Sequence, residues 1–501
     1  MTKSILILLI SKALFFTHLN AQELIWSQFR GQNGCGLASD KAIPPIEFGE
    51  DNNVIWKVEI PDGASSPIIW KDHIYITGCN EDNNEMQLHC LNRKSGANVW
   101  TQSFFPEKLE GAHPISSPAQ STPVLDNKGI YVYYASYGVI CYDHEGRVQW
   151  KTPLPIATHQ WGHATSPVIM EDKIILNLDY GEDDFRNLTA LNKNNGELAW
   201  KTLTQEVSYF EDAFFLGYST PIRYENQIIV HRIGGIASYS IEDGGPVWWM
   251  PIFTTGTSSP IVVDSVIYIA LWNHFSDKEN KGTYFDYEDF AKVVRDFDRD
   301  ADSLLSIEEF PEDFILASRI EVADYDGATH TVRSMYGFID KDQNDEIDSL
   351  EWIDAYNYFG SYVLDLGLIA LNEGNKGKIS IEKIAWMQSE KIPEVPSPIV
   401  VNGFIYTVKD GGWLSCIDKK TGKLYFSEKL GTTGGYLASP VAANGHLYIA
   451  GHRGIVHVIN ASNTPEVVSE IKLEGKILAT PAIVGNNLYI RTTDYLYAFG
   501  Q

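Results

Sequence analysis

Two stretches of twelve residues carry carboxylates at one repeating offset. "DRDADSLLSIEE" (298–309) sets Asp298, Asp300 and Asp302 at positions 1, 3 and 5 and Glu309 at position 12. "DKDQNDEIDSLE" (340–351) sets Asp340, Asp342 and Asn344 at the same places and Glu351 at the twelfth. A hard cation such as Ca²⁺ gathers roughly six to eight oxygens, and this spacing supplies them from one loop. The seventh position gives a backbone carbonyl, here that of Leu304 or Glu346. Helical patterns flank the pair, "FDYEDFAKVVRDF" before the first and "SLEWIDAYNYF" after the second. The pattern predicts two tandem calcium loops of the EF-hand kind. Position 6, normally glycine, is Ser303 in one loop and Asp345 in the other, so both must accept a left-handed backbone.

A second set of reactive residue types lies in turns: His159, Trp161 and His163 in "THQWGHATSP", His113, Trp272 with His274, Asp410 with Trp413, and His452 with Arg453. A flat aromatic cofactor can stack on Trp161, Trp272 or Trp413, pair its carboxylates with Arg453, and pass a proton to His163. The competing reading is that these side chains fill or rim a channel. His159 and His163 have the spacing of a metal pair, but a loop lacks the fixed helical geometry that makes such a pair convincing.

What positions these turns is a repeat. A Ser-Pro or Thr-Pro pair recurs at Pro67, Pro123, Pro167, Pro221, Pro260, Pro398, Pro440 and Pro481, and eight residues after each stands Tyr or Ile. Between them lie two β-branched or aromatic runs and a short polar turn, which is a hairpin. A second hairpin follows, with Asn or Asp (Ser240 in one blade) opening its turn, a glycine (Gly96, Gly146, Gly196, Gly244, Gly422) in the left-handed place, and usually a Trp four residues later. Two hairpins make one four-stranded unit that cannot bury both faces alone. Eight of them around an axis predict an all-β, eight-bladed propeller. The chain ends one strand short, and "NVIWKVEI" with Trp56 is expected to complete the last blade. The interval from Pro260 to Pro398 is far longer than the others, so an α-helical insertion (277–362) is expected inside blade 5, between propeller segments 22–276 and 363–501. Its return strands are expected at Gly367–Asn372 and Ile384–Met387, with "NEGNKGKISIEK" as their turn.

The turn Asx-x-x-Ser/Thr/Asn-Gly-x-x-x-Trp, as in Asn92 to Trp100 and Asn192 to Trp200, resembles the PQQ-like, or quinoprotein-type, propeller repeat. So do "WSQFRGQNGCG" (26–36) and "GGYLASPVAANGHLYIA" near the end. The resemblance implies that fold over nearly the whole chain. It also implies either a PQQ-dependent dehydrogenase of alcohols or sugars, or a non-catalytic scaffold that binds a periplasmic protein or a glycan. PQQ alcohol dehydrogenases of this family hold the cofactor under a vicinal disulfide, and no two cysteines are adjacent here, so no cofactor ligand transfers residue by residue.

The net charge is −26, and 69 residues from Asp286 to Asp354 hold −15 of it. That balance repels nucleic acid and anionic lipid. Lys3, the apolar run from Ile5 to Phe16 and Leu19-Asn20-Ala21 read as a secretory leader cut after Ala21, which sends a monomer to the periplasm or beyond. No later stretch is long and apolar enough to span a membrane. Cys90, Cys141 and Cys416 each stand two residues before a turn Asx, where other blades have Ala or Ser, so buried free thiols are expected; a Cys79–Cys90 bridge is the alternative in an oxidising compartment.

Overall fold

The computed structural model describes residues 24–113, 115–156, 162–179, 186–204, 217–276, 286–318, 329–360, 364–372, 374–431 and 434–500. The expected leader, and the expected insertion limits at 277 and 362, lie outside them. Eight sheets of four or five strands, each with an antiparallel four-stranded body, follow one another along the chain. Blade 1 is typical: Ile68–Trp70, His73–Asn80, Glu85–Asn92 and Asn98–Phe104, joined by tight turns. Every anchor proline sits just before the innermost strand, where its missing N–H costs the sheet nothing. This is the eight-bladed propeller that the repeat predicts.

The anchors do more than begin strands. The amide of Ser66 donates to the Thr122 hydroxyl (2.9 Å), and Thr122 in turn donates to Ser166 (3.0 Å). The same bond then passes through Thr220, Ser259, Ser397, Ser439 and Thr480. Thr480 donates back to Ser66 at 3.1 Å. The result is a closed ring of eight amide-to-hydroxyl bonds, one per blade junction. A buried amide cannot be left unpaired cheaply, so the small hydroxyl residue before each proline is a structural requirement.

The outer rim has its own junction. The indole N–H of Trp56, Trp100, Trp150 and Trp200 donates to Arg93, His144, Lys193 and Ile241 carbonyls in the next blade, at 3.0–3.2 Å. The turn glycine of that next blade lies flat on the indole. At Gly196, with φ +74°, an added Cβ would stand 2.5 Å from the Trp150 ring. Turn glycine and outer tryptophan thus form one interlocking device, repeated around the rim.

Closure is as expected: Val54–Glu59 pairs antiparallel with Tyr495–Phe499, with Trp56 opposite Ala498. Blade 5 consists of Ile261–Val263, Val266–Ala270, Leu368–Leu371 and Ile384–Gln388. The expected turn between its last strands is used differently, because Gly377–Lys378 adds a fifth strand to blade 4, parallel to Trp248–Trp249. Between the second and third strands of blade 5 come helix α1 (Phe290–Phe297), a hairpin of Ile315–Ser318 and Thr329–Thr331, the short α2 (Tyr336–Ile339) and α3 (Ser349–Gly360). They share a core around Trp352, which stacks on Phe310 and Phe314. Phe275 of blade 5 packs against that core at Phe359.

One feature has no periodic signature in the sequence. Ile25–Trp26 pairs with Trp70–Ile69 on the inner edge of blade 1. The chain then crosses the axis: Ser27 accepts from the Leu125 amide, Asn33 bonds Arg223 in both directions, Arg30 donates to the Pro398 carbonyl (2.7 Å), and Gly36 and Ala38 bond Ala442. Residues 25–38 therefore touch blades 1, 2, 4, 6 and 7 as an internal plug. Its irregular backbone supplies no periodic signal, which is why pattern reading missed it.

The candidate functional site: a central cavity and two acidic loops

The two acidic loops stand side by side, tied by reciprocal amide–carbonyl bonds between Leu305 and Ile347 (3.1 and 2.9 Å). Each loop folds its carboxylates inward. In the first, Asp298 accepts from the amides of Ala301 and Ser303, and Glu309 accepts from those of Arg299 and Ser306. In the second, Asp340 accepts from Asn344 and Asp345, and Glu351 from Lys341 and Asp348. Oxygens of Asp298, Asp300 and Asp302 lie within 4.8 Å of one another, as do those of Asp340, Asp342 and Glu351. Ser303 (φ +71°) and Asp345 (φ +65°) both adopt the left-handed backbone that position 6 demands. Burial, then the carboxylates of Asp302, Glu309 and Asp300 across the junction, hold the Glu346 carboxyl above its ordinary range. The loops thus crowd like charges that a cation would relieve.

A cavity of about 420 Å³ occupies the propeller axis. All eight anchor hydroxyl residues line it, so the ring is its wall. Phe29 of the plug lines it too, as do Trp272 and His274 from blade 5 and His330 from the inserted hairpin. His274 and His330 meet edge to face at 5.1 Å between ring centres. Burial holds the His330 imidazole below its usual range. His113, Tyr218, Glu394 and Asp410 complete the titratable lining among the described residues, and there is no Lys or Arg among them.

Of the five residues expected to hold a flat cofactor, only Trp272 is among the described lining residues. Trp161 lies outside the described residues. Trp413 stands outside this lining, covered by the ammonium groups of Lys391 (3.8 Å) and Lys429 (5.2 Å). Arg453 is exposed on a turn beside Gly434. His163 is buried with its Nε2 3.6 Å from Glu110 Oε2. Burial pushes the Glu110 carboxyl up to about 9. His231 is satisfied by the Ser258 carbonyl and the Thr254 hydroxyl, and burial pushes it down to about 4. These polar groups hold the blades together. All five cysteines are free and four are buried; Cys79 pairs in register with Met86 and Cys90 with Tyr75, so the alternative bridge does not form. No helix among the described residues is long and apolar enough to cross a membrane.

Eight blades, a plugged axis and the repeated tryptophan turn define a quinoprotein-type β-propeller. The chain belongs to the PQQ-like repeat family described as outer membrane protein assembly factor BamB, which it matches over residues 46–182, 84–273 and 410–499. A search of curated proteins finds no significant match. Among solved structures, a europium-containing methanol dehydrogenase superposes with a TM-score of 0.59 at 11% identity, covering 96% of this chain and 99% of that one. A quinohemoprotein alcohol dehydrogenase from Comamonas testosteroni gives 0.57 at 10% identity, over 96% and 81%. BamB from Moraxella catarrhalis gives 0.51 at 11%, over 89% and 99%. Likeness at such identities concerns the fold alone, and it spans both catalytic and assembly proteins.

Proposed function

We propose that this chain is an exported, calcium-holding propeller that acts by binding rather than by quinone redox chemistry. The observation that carries the reading is the charge of the axial cavity. PQQ is a flat quinone bearing three carboxylates, and a site for it needs cations or many aimed donors. The described lining offers Glu394 and Asp410 and no Lys or Arg, and Arg453 is exposed elsewhere. The described lining residues therefore do not fit that cofactor. The family description, an assembly factor, suits a protein that works by contact. Export rests on the leader pattern of residues 1–21.

Calcium is assigned to the two inserted loops, with Asp298, Asp300, Asp302, the Leu304 carbonyl and Glu309 as one ligand set. Asp340, Asp342, Asn344, the Glu346 carbonyl and Glu351 form the other. Support comes from the inward carboxylates, the left-handed sixth residues and the paired seventh-to-eighth segments. Thermal unfolding of the purified mature chain tests both parts. Calcium is expected to raise the midpoint and a chelator to reverse it, while PQQ added with or without calcium leaves it unchanged. A PQQ-dependent rise would overturn the binding reading, and indifference to calcium would overturn the assignment of the loops.

A further inference from the structure

We infer that the axial cavity is a binding site for an uncharged, oxygen-rich ligand of small-saccharide size; this rests on the binding reading above. Three independent features point to that class. The first is volume: about 420 Å³ falls in the range of small-ligand pockets and suits one or two sugar rings.

The second is donor chemistry. Each ring hydroxyl already accepts a backbone amide, which uses one lone pair and leaves its proton to be given elsewhere. All eight of these residues line one space. The Gln120 side chain lines the same space, and its Nε2 is buried with no hydrogen-bond partner in the protein. A wall of donors calls for a ligand carrying many acceptor oxygens.

The third is the balance of charge and surface. With no Lys or Arg among the described lining residues, the cavity offers no lining cation to hold a phosphate or a polycarboxylate. Trp272, Tyr218 and Phe29 supply flat apolar faces, which suit the C–H face of a pyranose. Together, donor wall and aromatic faces match a molecule with one apolar face and a hydroxylated edge. The hairpin that carries His330 adds the inserted module to this site, since its imidazole lines the cavity beside His274.

Saturation-transfer NMR on the calcium-loaded mature protein, with glucose, galactose, mannose, xylose, maltose and cellobiose as probes and citrate and choline as charged controls, tests this. At least one saccharide is expected to show transfer while citrate and choline stay silent. Gln120→Ala and Trp272→Phe are each expected to weaken that saccharide about tenfold, the scale of one lost central contact. An unchanged circular dichroism spectrum and melting midpoint would certify the fold of both variants. Silence from every saccharide, a preference for citrate or choline, or wild-type affinity in both folded variants would overturn the inference. Silence of the saccharides together with failure to bind PQQ removes only the ligand class; uptake of PQQ removes the binding reading itself.

Discussion

The amide of Thr480 donates to the hydroxyl of Ser66 across 3.1 Å, although 414 residues separate them. This bond closes the eight-membered hydroxyl ring, just as the pairing of residues 54–59 with 495–499 closes the outer rim. The propeller is thus fastened twice at one junction, inside and outside. Removing the ring acceptor leaves a buried amide unpaired. Ser66→Ala is expected to cost about 1–3 kcal/mol in urea unfolding, and Ser259→Ala, which orphans the Thr220 amide, a similar amount. A loss below the error of the measurement in both would show that the ring contributes nothing.

The rim device predicts a contrast between two glycines with similar backbones. Gly196 (φ +74°) faces the Trp150 ring, whereas Gly403 (φ +85°) has open space around its missing side chain. Gly403→Ala is expected to cost about 1–2 kcal/mol, the strain of a left-handed residue alone. Gly196→Ala adds a clash to that strain and is expected to cost more. Equal losses, read from denaturant midpoints at matched slopes, would contradict the interlock.

Calcium loading is expected to stabilise the inserted module by about 2.7 kcal/mol for each occupied site when free calcium stands at a hundred times the dissociation constant. Asp340→Asn with Glu351→Gln is expected to abolish one of two sites in a calorimetric titration. Ser303 holds a left-handed backbone without glycine's freedom, so Ser303→Gly is expected to tighten the first loop severalfold. Weaker binding in that variant would mean that Ser303 has another role in the loop.

Glu110 predicts a pH dependence with a definite sign. Its folded pKa, pushed to about 9 by burial, lies above the unfolded value near 4.5. The unfolded chain therefore gives up this proton first as pH rises. The stabilising contribution is complete below about pH 4.5, falls between 4.5 and 9, and levels beyond. The slope reaches at most about 1.4 kcal/mol per pH unit. Glu110→Gln is expected to remove that decline, so that its stability gain over the parent grows toward pH 9. A variant that loses stability across this window would show that Glu110 is ionised and pairs with a charged His163 at 3.6 Å.

How much of this was legible beforehand differs by element. The blades and the outer closure by Trp56 follow from spacing, because hairpins need fixed residue types at fixed offsets, and the clustering of each acidic loop's carboxylates follows from their closeness along the chain. The ring was half legible. The Ser/Thr-Pro pairs were conspicuous, but their hydroxyl partners lie one blade away and no local rule links them. The plug was legible only as the motif at 26–36, since its irregular backbone carries no period and its bonds to five blades mix backbone groups with the Arg30 and Asn33 side chains. The channel residues were the least legible. Trp413 and Trp272 have the same type and similar turns, yet one meets two lysines and the other the cavity. Only the three-dimensional path of each turn separates them. Gly377 shows the reverse error: a turn by composition, it extends the edge of blade 4 beside Trp248.

The central claim is that the cavity charge refuses the quinone while the inserted loops take calcium. Equilibrium dialysis of the mature protein against PQQ in calcium buffer, followed by quantification of both in the protein compartment, addresses it most directly. The account predicts two calcium ions per chain, no PQQ above the bulk concentration, and no reduction of an artificial electron acceptor when alcohols or sugars are added. One PQQ retained per chain, with substrate-dependent reduction of the acceptor, would contradict it.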